Sequence, residues 1–162
     1  MLNVVLVEPQ IPPNTGNVIR LCANVGAALH LVEPLGFDID DASLRRAGLD
    51  YHEFVDLAVH ASLDDCRTAL VGAGTWYGFS RHGARRYDEV AYGPDDVLVF
   101  GTEATGLAPD VRASFGDRLV TVSGQETDAA QVAGNMAVFL GVIYRDGSPA
   151  RDAARRHTTP GR

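Results

Sequence analysis

The sequence contains few cysteines, no long apolar run and no excess of positive charge. Its two cysteines among 162 residues are Cys22 and Cys66. Because Cys22 falls on the apolar stripe of a predicted helix, we expect no disulfide framework. No apolar run approaches the roughly 20 residues that cross a bilayer, and the first residues lack the charged-then-apolar order of a signal peptide. We therefore expect a protein of the cytoplasm.

The charge balance is acidic, with 14 Lys and Arg against 21 Asp and Glu and a net charge of −7. This balance argues mildly against nucleic acid, because proteins that bind phosphates usually show a basic surface. The distribution of charge matters more than its sum, and basic residues cluster at 45–46, 81–86 and 151–157. These clusters are either solvated faces or phosphate contacts, and 81–86 is the best candidate for a phosphate contact.

Several functional signatures are absent from the sequence. Helix-turn-helix, zinc-finger, P-loop and nucleophile-elbow motifs do not occur, and no Gly-x-Gly-x-x-Gly follows the first predicted strand, which disfavours an unrelated nucleotide-binding α/β domain. The five histidines and two cysteines lack the spacing of metal ligands, so no metal site is predicted.

The chain is predicted to form one α/β domain over residues 1–146, with a disordered tail at 147–162 that is rich in charge, Pro and Gly. Strands and helices alternate, which favours a mostly parallel sheet with helices on both faces. The predicted strands are 2–8, 28–32, 54–59, 74–80, 97–100 and 118–122. The predicted helices are 15–26, 41–46, 63–71 with Ser62 as cap, 109–115 and 129–144.

The chain is organised around residues 8–26, where a strand runs through a stiff loop into a helix. Pro12 and Pro13 restrict the approach, and Asn14 is expected to cap the helix. Apolar residues recur at helical spacing and predict a core-facing stripe. Asn14, Asn17, Arg20 and Asn24 fall off that stripe, next to a strand end of the kind that carries sites in open α/β sheets. They are either a site or a cap and a solvated face.

A second candidate segment, 100–107, directly follows the most apolar predicted strand and reads Phe-Gly-Thr-Glu-Ala-Thr-Gly-Leu. Gly101 and Gly106 permit positive φ and close backbone approach, and Glu103 is an acid at the carboxyl end of a strand. A bare turn would explain the same residues.

Residues 12–20 and 100–107 resemble the first and second signature motifs of the SpoU (TrmH) branch of the SPOUT RNA methyltransferases. Segments 2–6, 29–37 and 44–51 are similar to the small TrmL-type subfamily. The resemblance implies a C-terminal trefoil knot, a homodimer, S-adenosylmethionine (SAM) as cofactor, tRNA as partner, and methyl transfer to the ribose 2′-hydroxyl of the wobble nucleotide, cytidine or uridine 34.

The resemblance also assigns site residues. Arg20 is implied as the base or as the group that polarises the hydroxyl, but a guanidinium with a pKa above about 12 rarely releases a proton, so we favour phosphate positioning. Asn14 would orient Arg20 or the ribose, and Glu103 would position Arg20 or the substrate. The implied cofactor-binding residues are Phe79, Gly101, Gly106, Leu107, Val122, Ala130 and Asn135. The candidates for RNA binding come from the basic clusters and are Arg45, Arg46, Arg81, Arg85 and Arg86.

The third family motif departs from the pattern. Ser123 and Gly124 replace Pro and Met after Val122, and Ala130, Val132 and Gly134 stand where the family has Ser, Asn and Ser. Only Asn135 matches. The sequence therefore leaves two functions open: a divergent but active SAM-dependent methyltransferase, and a non-catalytic RNA-binding homologue that has lost the cofactor.

Overall fold

A computed structural model describes residues 1–39 and 56–121 of the chain. Its described strands are β1 (Asn3–Val7), β2 (Ala28–Val32), β3 (Leu57–His60), β4 (Trp76–Phe79), β5 (Arg85–Arg86), β6 (Val97–Phe100) and β7 (Leu119–Thr121). Its described helices are α1 (Pro12–Val25), α2 (Leu63–Ala69) and α3 (Pro109–Phe115), with 3₁₀ turns at Tyr87–Glu89 and Gly116–Arg118.

The strands form one sheet in the order β3-β2-β1-β6-β4-β7-β5. Every pairing between these strands is parallel. Val4 of β1 lies opposite Leu29 of β2 and Leu98 of β6. The chain builds outward from β1 to β3 and then returns to the other side of β1, so the strand order reverses between β1 and β6. Open α/β sheets bind ligands at the carboxyl ends of strands at such a reversal.

Both faces of the sheet are covered, as the alternation of strands and helices predicted. On one face, Val4 and Leu6 pack with Val18, Ile19 and Cys22 of α1. On the other face, Val5, Val97 and Val99 pack with residues from α2 and α3, including Cys66 and Phe115. Because side chains alternate along a strand, each central strand contributes to both cores. All four residues of β6 are buried, which explains its nearly continuous apolar sequence.

The first helix begins three residues earlier than predicted. Ile11 is the N-cap, with an extended backbone and no side-chain cap hydrogen bond, and Pro12 occupies the first turn. Proline suits this position because its φ is already helical and its missing N–H would have had no partner in the helix. Asn14 therefore lies inside the first turn, where its own N–H donates to the carbonyl of Ile11 at 3.1 Å. The prediction that Asn14 caps the helix was wrong.

The bounds predicted for β2, β6 and α3 are confirmed, while β1 and α2 are shorter than the predicted 2–8 and 63–71. The strand predicted over 54–59 is shifted to Leu57–His60. The strand predicted over 74–80 is confined to β4, and the strand predicted over 118–122 begins one residue later because Arg118 belongs to a 3₁₀ turn. The two-residue strand β5 was not predicted, since its two arginines carry no apolar alternation. No helix among residues 1–39 and 56–121 is long and apolar enough to cross a membrane.

Several predictions lie outside the described residues. These are the helices at 41–46 and 129–144, the trefoil knot and the disordered tail at 147–162, and they stay predictions.

The cap predicted for the second described helix is confirmed. Ser62 has an extended backbone, and its hydroxyl oxygen accepts from the backbone N–H of Asp65 at 3.1 Å. The same hydroxyl donates to the carboxylate of Asp65 at 2.7 Å. The pair satisfies one of the N–H groups that the first turn of a helix leaves without a partner.

We expect Ser62→Ala to lower the free energy of unfolding by about 0.5–2 kcal/mol, because the cap is lost. Urea unfolding measures the change. Ser62→Asn is the matched control, since its side-chain oxygen also caps helices, and it should stay close to the parent protein. Equal stability of the parent and the alanine variant would contradict the role of this cap.

Candidate active site

Two loops meet at the carboxyl edge of the sheet where the strand order reverses. Residues 8–11 connect β1 to α1, and residues 101–108 connect β6 to α3. Because β1 and β6 are neighbouring parallel strands, their following loops emerge side by side. These are the two segments that the sequence singled out, although they lie some 90 residues apart in the chain.

A single carboxylate connects these loops. Glu103 Oε2 accepts from the backbone N–H of Gln10 at 2.8 Å, and Glu103 Oε1 accepts from the N–H of Ile11 at 3.0 Å. Ile11 is the N-cap of α1, so the negative charge also lies at the positive end of the helix dipole. Sequence reasoning expected Glu103 to position Arg20 or the substrate. Its partners among the described residues are instead backbone groups that set the start of α1.

The loop before α1 is constrained from its other side as well. Glu8 adopts a positive φ of 51°, which is uncommon for a residue with a side chain. Gln10 Nε2 donates to the carbonyl of Glu8 at 2.7 Å, and the N–H of Gly36 donates to the carbonyl of Pro9 at 2.9 Å. The loop therefore holds one conformation from the end of β1 to the beginning of α1.

The loop after β6 closes tightly on itself. The N–H of Gly106 donates to the carbonyl of Thr102 at 2.9 Å, and the N–H of Thr102 donates back at 3.2 Å. Gly106 has a φ of +71°, and a Cβ on Gly101 would collide with the backbone of Gly106 and Leu107. Both glycines are thus required by the turn. The close approach predicted at Gly101 is made by the loop's own backbone.

Arg20 lies on α1, just over two turns into the helix, and is half-buried. Its Nη2 donates to Oδ1 of Asn17 at 2.7 Å. The resemblance implied that Asn14 orients Arg20 or the ribose, whereas the side chain that contacts Arg20 in the structure is that of Asn17. The i, i+3 spacing of Asn17 and Arg20 in the sequence could have predicted this contact, because residues three apart on a helix are neighbours.

A second polar side chain in the same part of α1 was missed. Thr15 is only 1% exposed, and its hydroxyl has no hydrogen-bond partner in the described part of the chain. Buried polar groups are nearly always paired in native proteins. The hydroxyl is therefore available to a group that binds at this edge or to a residue outside the described ranges.

The predicted cofactor residue Phe79 ends β4 and is 3% exposed. Its ring stacks on Phe100 with a centroid distance of 4.5 Å. Leu107, 2% exposed, packs into the core of the opposite face. Phe79 thus contacts the last residue of β6 on one face of the sheet, while Leu107 anchors the loop after β6 in the core of the other face.

The basic segment predicted to contact RNA follows β4 and reaches the same edge of the sheet. Arg81 Nε donates to His82 Nε2 at 3.3 Å, and Arg85 Nη2 donates to the carbonyl of Glu89 at 3.3 Å. Arg86 forms a two-point ion pair with Asp88, at 2.9 and 2.8 Å. This pairing raises the pKa of Arg86 above its ordinary value. The positive charge of Arg86 is thus partly neutralised within the protein.

The remaining predicted site residues lie outside the described part of the chain. They are the RNA-binding candidates Arg45 and Arg46 and the cofactor-binding candidates Val122, Ala130 and Asn135.

We expect Glu103→Gln to loosen the loop before α1. Glutamine offers one carbonyl oxygen and turns an NH₂ group toward the second backbone N–H, so one hydrogen bond to a charged group, worth about 1.5–3 kcal/mol, is lost. Hydrogen exchange of the Gln10 and Ile11 amides should then accelerate by about 10- to 150-fold. Glu89→Gln, which makes the same change at the side chain that accepts from the N–H of Arg86, should leave both amides unchanged. Unchanged exchange in Glu103→Gln would refute the connection.

Known methyltransferases are similar to this chain in sequence and in fold. A tRNA (cytidine(34)-2′-O)-methyltransferase of Polaromonas sp. is 57% identical over 119 residues, which cover 71% of each chain. A solved structure described as "Structural insights into the 2-OH methylation of C/U34 on tRNA" superposes with a TM-score of 0.82 at 36% identity, over 90% of this chain and 95% of that one. The SpoU methyltransferase AviRb of Streptomyces viridochromogenes, in complex with AdoMet, shares the fold at a TM-score of 0.71 and 24% identity, over 91% of this chain and 59% of that one.

The sequence model of the SpoU rRNA Methylase family matches residues 1–139. That match spans the described sheet and both loops of the candidate site. The chain belongs to the SpoU methylase family.

Proposed function

We propose that this protein transfers a methyl group from SAM to the ribose 2′-hydroxyl of nucleotide 34, cytidine or uridine, in tRNA. One structural observation carries the proposal. Glu103 joins the two motif loops at the strand reversal, and Arg20 projects from the helix that begins there. Two relatives that are 57% and 56% identical are named for 2′-O-methylation of cytidine 34, and the description of a similar solved structure adds uridine 34.

Features of the described edge suit a nucleoside-type cofactor. Ligands bind where the strand order of an open sheet reverses, and the buried hydroxyl of Thr15, in the first turn of the helix that begins there, has no hydrogen-bond partner among residues 1–39 and 56–121. Gly101, Gly106 and Leu107 would form the wall of the cofactor site, supported by Phe79. When bound, SAM supplies the electrophilic methyl group. The use of SAM is also supported by the AviRb structure, which shares this fold and contains the same cofactor under the name AdoMet.

The chain's own contribution is orientation more than proton chemistry. Transfer to a hydroxyl requires alignment of the reacting groups, removal of a proton and exclusion of water. A guanidinium stays protonated at neutral pH, so Arg20 acts by binding a phosphate of the RNA beside the reacting ribose. Asn17 holds one edge of the guanidinium, which leaves the remaining N–H donors for a two-point contact to phosphate oxygens.

The proposed function also involves contacts to the tRNA backbone and a homodimer. Arg81 and Arg85 are better suited than Arg86 to attract the tRNA backbone, because the guanidinium of Arg86 already forms a salt bridge with Asp88. A homodimer would enlarge the basic surface of an acidic chain. A trefoil knot that closes the C-terminal part, and a place in the cytoplasm, complete the proposal.

We expect Arg20→Ala to lower kcat/KM for tRNA methylation by about 10- to 150-fold. The change removes hydrogen bonds between charged groups, worth about 1.5–3 kcal/mol. The kcat/KM of Arg20→Lys should lie between those of the parent and Arg20→Ala, since lysine retains the charge but cannot make the two-point contact of a guanidinium. Transfer of labelled methyl from SAM to a tRNA transcript measures the effect, and Asn24→Ala, an exposed change on the same helix, is the matched control. Full activity in Arg20→Ala would reject this role for the arginine.

The nucleotide and the atom are tested by the same assay with an altered substrate. A tRNA that carries 2′-deoxycytidine at position 34 lacks the proposed acceptor oxygen and should accept no methyl group. Equal labelling of this tRNA and the unmodified one would refute the proposed target.

Cofactor binding is tested separately by calorimetric titration with S-adenosylhomocysteine, the product form of the cofactor. We expect a dissociation constant in the micromolar range, about −8 kcal/mol. Absence of binding at millimolar ligand, with and without tRNA, would favour the non-catalytic RNA-binding alternative.

A further inference from the structure

Two histidines and a cysteine meet on the far side of the sheet from α1. His30 lies on β2, His60 ends β3, and Cys66 lies on α2. Their potential ligand atoms all lie within 4.8 Å of one another. His30 is 8% exposed and Cys66 is fully buried. This cluster is separate from the loops after β1 and β6.

The register of the sheet explains why the two histidines meet. His30 lies opposite Ala58, and His60 lies opposite Val32. Residues two apart on a strand point to the same face, so His30 and His60 are diagonal neighbours on the face that α2 covers. Their rings stack with a centroid distance of 5.3 Å and an angle of 29°.

Hydrogen bonds determine which nitrogen of His30 carries its proton. The amide Nδ2 of Asn3 donates to the carbonyl of Met1 at 3.0 Å, which turns Oδ1 of Asn3 toward His30 Nε2 at 3.3 Å. An amide oxygen can only accept, so Nε2 of His30 is protonated and its Nδ1 presents a lone pair. That lone pair faces His60 Nε2 at 3.0 Å.

The spacing of the nitrogens matches a zinc site. Two nitrogens bound tetrahedrally to zinc at about 2.0–2.1 Å are separated by about 3.3 Å, close to the 3.0 Å between His30 Nδ1 and His60 Nε2. Ligand histidines usually donate their other N–H to an oxygen that orients the ring, which is the contact that Asn3 makes. Imidazole and thiolate together suit Zn²⁺.

We propose that His30 Nδ1, His60 Nε2 and Cys66 Sγ bind one Zn²⁺ ion, which retains one water molecule as its fourth ligand. On binding, the thiol of Cys66 loses its proton to solvent, and the proton of His60 moves from Nε2 to Nδ1. The net release is one proton per ion. The site joins β2, β3 and α2 and acts as a structural clamp independent of methyl transfer.

The ionisation of the ligands is compatible with this exchange. Burial lowers the pKa of His30, with His60 adding to the effect, so the imidazole is held in the neutral form that binds metals. Burial raises the pKa of Cys66 to about 11. The ion must therefore displace the thiol proton, as metals do at cysteine ligands.

The experiment uses the full chain without a histidine tag, reduced, stripped with a chelator and titrated with Zn²⁺ against a chromophoric chelator. We expect one ion per chain. Two variants each remove one ligand: Cys66→Ser, which preserves the shape of the side chain, and His60→Asn. Each should weaken Zn²⁺ binding by at least about 100-fold, because even the loss of a residue that only orients a ligand costs up to about 100-fold. Asn3→Leu removes such an outer contact and should weaken binding by about 10- to 100-fold.

A matched control is provided by the other cysteine. Cys22 is buried on α1, so Cys22→Ala should retain full affinity. Titration with Co²⁺ reports directly on the ligands, because a bound thiolate gives a charge-transfer absorption band. The band should be present in the parent and in Cys22→Ala and absent from Cys66→Ser, with circular dichroism confirming that each variant is folded.

Two results would overturn the proposal. One is binding of Zn²⁺ to the parent no tighter than to Cys66→Ser and His60→Asn. The other is a Co²⁺ band that survives in folded Cys66→Ser, since another thiol would then be the ligand. A rise in melting temperature with Zn²⁺ in the parent, and none in His60→Asn, would support the clamp.

Discussion

The carboxylate of Glu103 holds together two segments that the chain keeps 93 residues apart, by accepting from the N–H groups of Gln10 and Ile11. Both N–H groups precede the first turn of α1, where a helix has donors without internal partners. The contact therefore does more than join two loops. It determines where α1 begins, and the position of Arg20 follows from that start through the rigid geometry of the helix.

The two loops depend on backbone geometry more than on side-chain variety. Pro12 supplies a helical φ at the first turn of α1, and Gly101 leaves room for the backbone of Gly106 and Leu107. With both loops rigid, the edge of the sheet presents a preformed surface. A site that needs no reordering on binding avoids the entropy loss that flexible loops incur.

The basic segment of this acidic chain contains arginines with different partners. Arg86 is paired with Asp88 and Arg85 donates to a backbone carbonyl, so neighbouring arginines differ in how much charge they present to solvent.

The zinc proposal concerns another part of the molecule, where His30, His60 and Cys66 meet beneath α2. The edge proposed to bind RNA and the buried cluster proposed to bind zinc thus lie in separate parts of the fold.

The sequence by itself determined the α/β class, the parallel sheet and the Ser62 cap, because periodicity and caps are local properties. The two loops of the candidate site were predicted from their polar and glycine residues together with their resemblance to the motifs of the family. It also contained the i, i+3 spacing of Asn17 and Arg20. It misplaced the start of α1, because Asn14 is a good cap in isolation while Pro12 and the Glu103 contact favour an earlier start.

Only the tertiary structure decided the partners of Glu103 and the meeting of His30, His60 and Cys66. Each depends on the register between strands or on the side of the sheet to which a loop returns. Such contacts join residues that are distant in the chain, and no local pattern encodes them.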